Sequence, residues 1–170
     1  MDFLDLLKSR RSIRQYTSAP VEKQKLDTIL EAAKWAPSAG NAQARDLILI
    51  SDKEIKEKLA EAAFGQNFVS EAPVVIVVCA NRGRSAKRYG LRGESLYSVQ
   101  DATAAVQNML LMAHSLGLAT CWVGAFDEPK VKDILDIPKD VSPVAIIPVG
   151  YPKESHPAPM RRLDLHEGKW

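Results

Sequence analysis

The sequence predicts an α+β domain, a central sheet with helices laid against it, and three observations lead there. Apolar residues recur at helical spacing in several segments, and two β-branched runs read as buried strands. The two kinds of segment alternate along a chain of 170 residues, with no internal repeat, low-complexity stretch or linker between halves. The expected domain therefore spans residues 1–170.

Phe3, Leu4 and Leu7 form a short apolar stripe, which predicts a helix ending near Ser9. Between residues 21 and 36, Leu26, Ile29, Leu30 and Ala33 fall at helical spacing. Pro37 ends that pattern, because the residue before a proline is pushed out of the helical region. Residues 47–50 read as a short buried strand, and Asp52 is placed to cap a helix with Ile55, Leu59 and Ala63 on one face. Pro73 leads into "VVIVVCA", whose β-branched content fits a central strand. Residues 98–116 are unusual. Val99, Ala102, Val106, Met109, Leu110 and Ala113 make one helical face, yet Ala104, Ala105, Leu111 and Met112 lie elsewhere around the wheel. A helix apolar over most of its circumference is buried on more than one side, which points to a subunit interface. Gly117 supplies its stop. "ATCWV" reads as a strand, Asp127 as the cap of a helix bearing Val131, Ile134 and Leu135, and "VAIIPV" as the last core strand. From Gly150 onward the chain is polar and proline-rich, with no period until "LDL".

Composition narrows the function. With 46% hydrophobic and 26% charged residues the chain has the balance of a globular protein, and a net charge of +2 is too small for a general nucleic-acid binder. No apolar run approaches the roughly 20 residues that span a bilayer. Asp2 and Asp5 interrupt the start in a way that signal peptides do not. Cys79 and Cys121 sit in apolar strand-like runs, as buried, reduced thiols do. The expected compartment is cytoplasmic.

The common catalytic signatures do not occur: there is no nucleotide-hydrolase phosphate loop, GxGxxG, HExxH or paired CxxC. His114, His156 and His166 have no ligand-like spacing, so no metal is expected. His114 reads as a hydrogen-bonded helix residue and the other two as solvated tail residues. Four polar clusters remain: Arg10, Arg11, Ser12 and Arg14; "APSAGNAQ" at residues 36–43; "WVGAF" at 122–126; and "PMRRLDL", with Arg161 and Arg162. Singly, each has an ordinary reading as a solvated face, a loop or a turn.

Together and in this order, "RRSIRQY", "AAKWAPSAGNAQ", "VGAFDE" and "VGYP" resemble the FMN-dependent nitroreductase family from end to end. "YGLRGESLYSVQDATAA" is most similar to its compact microbial members. One departure is visible: many relatives follow the Asn-x-Gln with Pro-Trp, where this chain has Ala44 and Arg45.

The resemblance implies a central mixed or antiparallel sheet flanked by helices, in an intertwined homodimer with two FMN sites at the interface. Arg10 and Ser12 would hold the FMN phosphate, with Arg11 assisting and Arg161 or Arg162 closing the corner, since guanidinium forks and hydroxyls suit that dianion. Arg14 would reach the pyrimidine edge of the flavin and tune its potential. Pro37, Ser38, Ala39, Asn41 and Gln43 would come from the partner chain, Gln66 or Asn67 would add a ring contact, and Val123, Gly124 and Ala125 would lie at the N5 edge. "LDL" would add a strand across the interface. The implied activity is a ping-pong oxidoreductase, taking hydride from NADH or NADPH through flavin N5 to a nitroaromatic, quinone or related small acceptor. No side chain acts as nucleophile or base in that scheme. The alternatives are a flavin-binding protein without turnover, or a superfamily variant that carries out reductive dehalogenation or flavin breakdown. Giving the arginines to nucleic acid instead is disfavoured by the charge balance.

Overall fold

Strands β1 (Arg45–Ile50), β2 (Val74–Asn81), β3 (Ala119–Thr120) and β4 (Val141–Gly150) form one antiparallel sheet in the order β1-β2-β4-β3. The computed structural model describes residues 2–170. Both faces of the sheet are covered, which explains why β2 is apolar at nearly every position rather than at alternate ones. Ile76, Val78 and Ala80 face one hydrophobic layer; Val75, Val77 and Cys79 face the other. Each fully buried β-branched side chain here stabilises the fold by about 1.5–3 kcal/mol.

The first layer is built by α2 (Lys23–Lys34) and α6 (Ser98–Ser115), whose Ile29, Ala102, Val106 and Met109 are fully or almost fully buried. The second is built by α3 (Lys53–Ala62), α4 (Phe68–Glu71) and α7 (Glu128–Leu135). Asp52 and Asp127 accept the Ile55 and Lys130 N–H groups and so cap α3 and α7 as their positions predict. The all-round apolar helix is α6. Its own chain covers several of its sides, while Leu111 and Met112 remain half-buried and line an apolar groove with Phe3, Leu6 and Trp35. Helix α1 (Phe3–Ser9) on that groove has no fully buried residue.

One expectation needs correction, and two features go beyond what periodicity showed. "ATCWV" is not a continuous strand: β3 ends at Thr120, whose carbonyl is taken by the Ile13 N–H from the outer side. The ladder then skips Cys121 and Trp122 and resumes at Val123, which exchanges both backbone bonds with Ile146 (3.0 and 2.9 Å). Residues 82–97, unassigned by periodicity, form α5 (Arg82–Arg92) and a π-helical turn (Gly93–Tyr97). This segment carries almost no apolar stripe and is held by polar contacts, Arg84–Asp46 at 3.0 Å and Arg82–Glu94 at 2.5 Å. Gly90, at φ 54° and ψ −142°, makes the kink that only glycine adopts freely. Finally, His156 is exposed, as its place in the tail predicts, and it also pairs with Glu154 at 3.1 Å at the rim of a cleft.

Candidate functional site

After α1 the chain runs along the outer side of β3. Ser12 bridges Thr120 in parallel, and buried Ile13 and Tyr16 lock the segment down, the Tyr16 hydroxyl donating to the Ile13 carbonyl at 2.6 Å. The C-terminal tail lies alongside it: Thr17 N–H donates to the Tyr151 carbonyl, Lys153 N–H to the Gln15 carbonyl, and Arg14 N–H to the Glu154 carboxylate. This pairing brings the tail back over the first cluster. Arg10, Arg11, Ser12, Arg14 and Arg161 consequently line one cleft of about 380 Å³. Arg162 instead turns to Asp164, at 3.1 Å.

The cations in this cleft are unequal. Arg11 is committed to the backbone, donating to the carbonyls of Pro157 (3.0 Å), Lys8 (2.6 Å) and Arg10 (2.8 Å). The guanidinium groups of Arg10, Arg14 and Arg161 have no protein acceptor among the described residues; Arg14 lies over the Phe68 ring, 5.8 Å from its centre. Burial, followed by the repulsion of Arg161 and Arg11, weakens Arg10's hold on its proton. Beneath them burial raises the Cys121 thiol, partly offset by Arg14, the Ser12 hydroxyl and Arg10. Converging guanidinium forks with no acceptor, beside a hydroxyl, are the donor set for an oxyanion. They fit a phosphate.

The third cluster continues along the same edge. Gln66 donates to the carbonyls of Ala63 (2.9 Å) and Ala125 (3.1 Å), so its side chain pins the exposed Gly124–Ala125 turn. Val123 anchors that turn in the sheet, and the Asp127 N–H closes it on the Ala62 carbonyl at 2.8 Å.

The second cluster is a tight loop before β1. Gly40, Asn41 and Gln43 all have positive φ, of 52°, 56° and 50°. At the two non-glycine positions this conformation costs about 1–2 kcal/mol each. A side chain at Gly40 would also run into the Tyr89 hydroxyl. Ser38 Oγ accepts the Gln43 N–H (2.9 Å), and Gln43 Nε2 donates to Asn41 Oδ1 (3.2 Å). From α5, Arg88 and Arg84 donate to the Gly40 and Gln43 carbonyls, both at 2.6 Å. The carboxylate of Asp101, only 3% exposed, accepts the N–H groups of Ala39 (2.9 Å) and Ala44 (3.2 Å). Sequence reading did not single out Asp101; an acid on the buried face of an apolar helix was the signal. Arg45 is buried too, and Nη2 donates to the Lys34 and Ala36 carbonyls (2.8 and 2.9 Å). It thus ties down the end of α2.

The first, third and fourth clusters gather on β3, through Arg161 in the fourth case, whereas the loop 37–43 enters β1 at the opposite edge. Three strand spacings, roughly 14 Å, separate those edges. No hydrogen bond or ion pair joins the two groups among the described residues.

Known proteins match this chain along its whole length. The family model described as "Nitroreductase family" matches residues 7–71 and 63–151. A protein of Methanothermobacter thermautotrophicus named "Putative NADH dehydrogenase/NAD(P)H nitroreductase" is 37% identical over 100% of this chain and 88% of its own length. The FMN reductase [NAD(P)H] of Bacillus subtilis is 36% identical, over 87% of this chain and 65% of its own. The solved FMN-dependent nitroreductase of Clostridium difficile superposes with a TM-score of 0.85 at 31% identity, covering 99% of this chain and 100% of that one. Since the family model spans residues 7–151 and the Methanothermobacter relative matches the whole chain, the chain belongs to the nitroreductase family.

Proposed function

We propose that this protein is an FMN-dependent oxidoreductase that draws hydride from NADH or NADPH and delivers it to a nitroaromatic, a quinone or a related small acceptor. One observation carries the reading: Arg10, Arg14 and Arg161 converge on a cleft without protein acceptors, beside the Ser12 hydroxyl. An FMN phosphate is the anion that the family would place there. When bound, FMN would supply the redox chemistry, a two-electron transfer that the side chains alone cannot perform.

The chain's own work is to bind and orient. Arg10, Ser12 and Arg161 hold the phosphate, and Arg11 stiffens the corner through its three carbonyl bonds rather than by reaching the anion. Arg14 is the cation assigned to the electron-rich edge of the flavin, steered by the Phe68 ring. Gln66 fixes the 123–125 turn, whose exposed backbone would face the reactive edge. Asn41 and Gln43 supply the mixed donors and acceptors that ribityl hydroxyls and the ring edge require.

The two groups stand at opposite edges of the sheet, so we assign the loop 37–43 to the site of a second copy. The groove beside α6 and the exposed Phe3, Leu4, Leu7 and Trp35 give that copy an apolar surface to cover.

Purified protein should be yellow, release FMN rather than FAD on denaturation, run as a dimer and lose its colour anaerobically with NADH or NADPH. A donor and an acceptor that used the same cofactor site in turn would give parallel double-reciprocal lines in initial-rate measurements, and such lines are expected. A colourless monomer that FMN cannot reconstitute would remove the reading; intersecting lines would remove the two-step scheme.

A further inference from the structure

We infer that Asp101 is a positioning residue for the flavin-binding loop, its buried carboxylate holding residues 39–44 in their left-handed shape before any cofactor arrives. The inference rests on the proposed assignment of Asn41 and Gln43 to FMN. Its ground is local geometry. Asn41 and Gln43 occupy a backbone region that side chains disfavour, so something must over-determine the loop. Asp101 reaches up from α6 and accepts both boundary amides, Ala39 at 2.9 Å and Ala44 at 3.2 Å. One side chain thereby closes the loop at its two ends. The carboxylate is almost completely buried and has no cation within salt-bridge distance among the described residues; burial weakens the hold of Arg45 on its proton, an effect that Asp101 partly offsets from longer range.

Burying a carboxylate there is costly, and the turn itself already has the Ser38 Oγ bond and the Arg84 and Arg88 bonds to its carbonyls. What the extra acceptor fixes is the direction in which Asn41 and Gln43 leave the backbone. α6 sits beneath the sheet as its most buried helix, so the anchor cannot drift. A preformed loop spares the ordering cost that a mobile one would add to binding.

The test uses the full-length protein. In the unloaded wild type, amide hydrogen exchange at Ala39 and Ala44 should already be slow, with little further slowing on adding FMN. Asp101→Asn keeps the shape but sets an NH2 group against one of the two N–H donors. It should raise the Kd for FMN about tenfold or more, the size expected when a charge-assisted bond is lost. It should also shift the visible absorption and circular dichroism of the flavin that still binds. Ala105→Gly, one helical turn on, is the control: it should lower Tm and leave Kd and spectrum alone. Free exchange at Ala39 and Ala44 in the unloaded wild type would overturn the inference even if the Asn variant cannot be purified. So would a folded Asn variant with unchanged Kd and spectrum. If the wild type fails to bind FMN, the functional reading falls, and the exchange result still decides whether Asp101 shapes the loop.

Discussion

Arg10 is partly buried beside two other cations and has no protein acceptor for its guanidinium, so its removal should have opposite effects on two measurements. Arg10→Ala should leave the Tm of the unloaded protein unchanged or raised, because repulsion is relieved. It should weaken FMN retention by about 1.5–3 kcal/mol, a roughly ten- to hundredfold higher Kd by equilibrium dialysis. Arg162→Ala should change neither, since that side chain is turned to Asp164. Arg14→Ala should lower the flavin midpoint potential with a smaller loss of retention; an unchanged potential would refute the role given to Arg14. His114 makes a pH prediction. Burial, then Arg10 and Arg11, lower it from its ordinary value of 6.5, and its Nε2 sits 2.8 Å from the Ser9 hydroxyl. The unfolded chain therefore holds this proton more tightly. Stability is full above about 6.5 and is lost as pH falls from there toward the folded-state value. Tm should drop on acidification from about pH 7, and less steeply in His114→Gln. The arginine pattern was legible in sequence because phosphate chemistry demands those residue types. The separate tasks of Arg11, Arg161 and Arg162 were not, since they depend on where the tail lies.

At the scale of elements, legibility followed apolar periodicity. α2, α3, α7 and β2 each bury a stripe or a run, and their positions, with the Asp52 and Asp127 caps of α3 and α7, could be read from the sequence. α5 could not, because arginines bonded to Asp46, Glu94 and loop carbonyls hold it in place of a hydrophobic face. The same contrast sets the expected cost of mutation. Met109→Ala empties a fully buried position of α6 between α2 and the sheet, and should cost about 2–5 kcal/mol in denaturant unfolding. Leu91→Ala on α5, where the side chain is 83% exposed, should stay within about 0.5 kcal/mol. β3 illustrates a subtler limit. Four apolar residues and a β-branched threonine in a row read as one strand, but the Thr120 carbonyl pairs outward with Ile13 and the ladder is interrupted behind it.

For the whole molecule, the placement of the polar clusters matters more than their identity. The loop before β1 and the arginine corner on β3 stand at opposite edges of one sheet, and neither is within bonding reach of the other. On the two-copy reading, every working centre takes its arginines from one polypeptide and its loop from the other. A genetic consequence follows. Two inactive variants, Arg10→Ala with Arg161→Ala on one chain and Asn41→Ala with Gln43→Ala on the other, should complement when refolded together or co-expressed. Each mixed pair would bring both lesions into one centre and leave the other entirely wild type. Activity recovered from two dead parents, and absent when all four changes share a chain that is mixed with itself, would be heritable evidence of a shared catalytic unit. Failure to complement in verified mixed dimers would mean that each polypeptide builds its own.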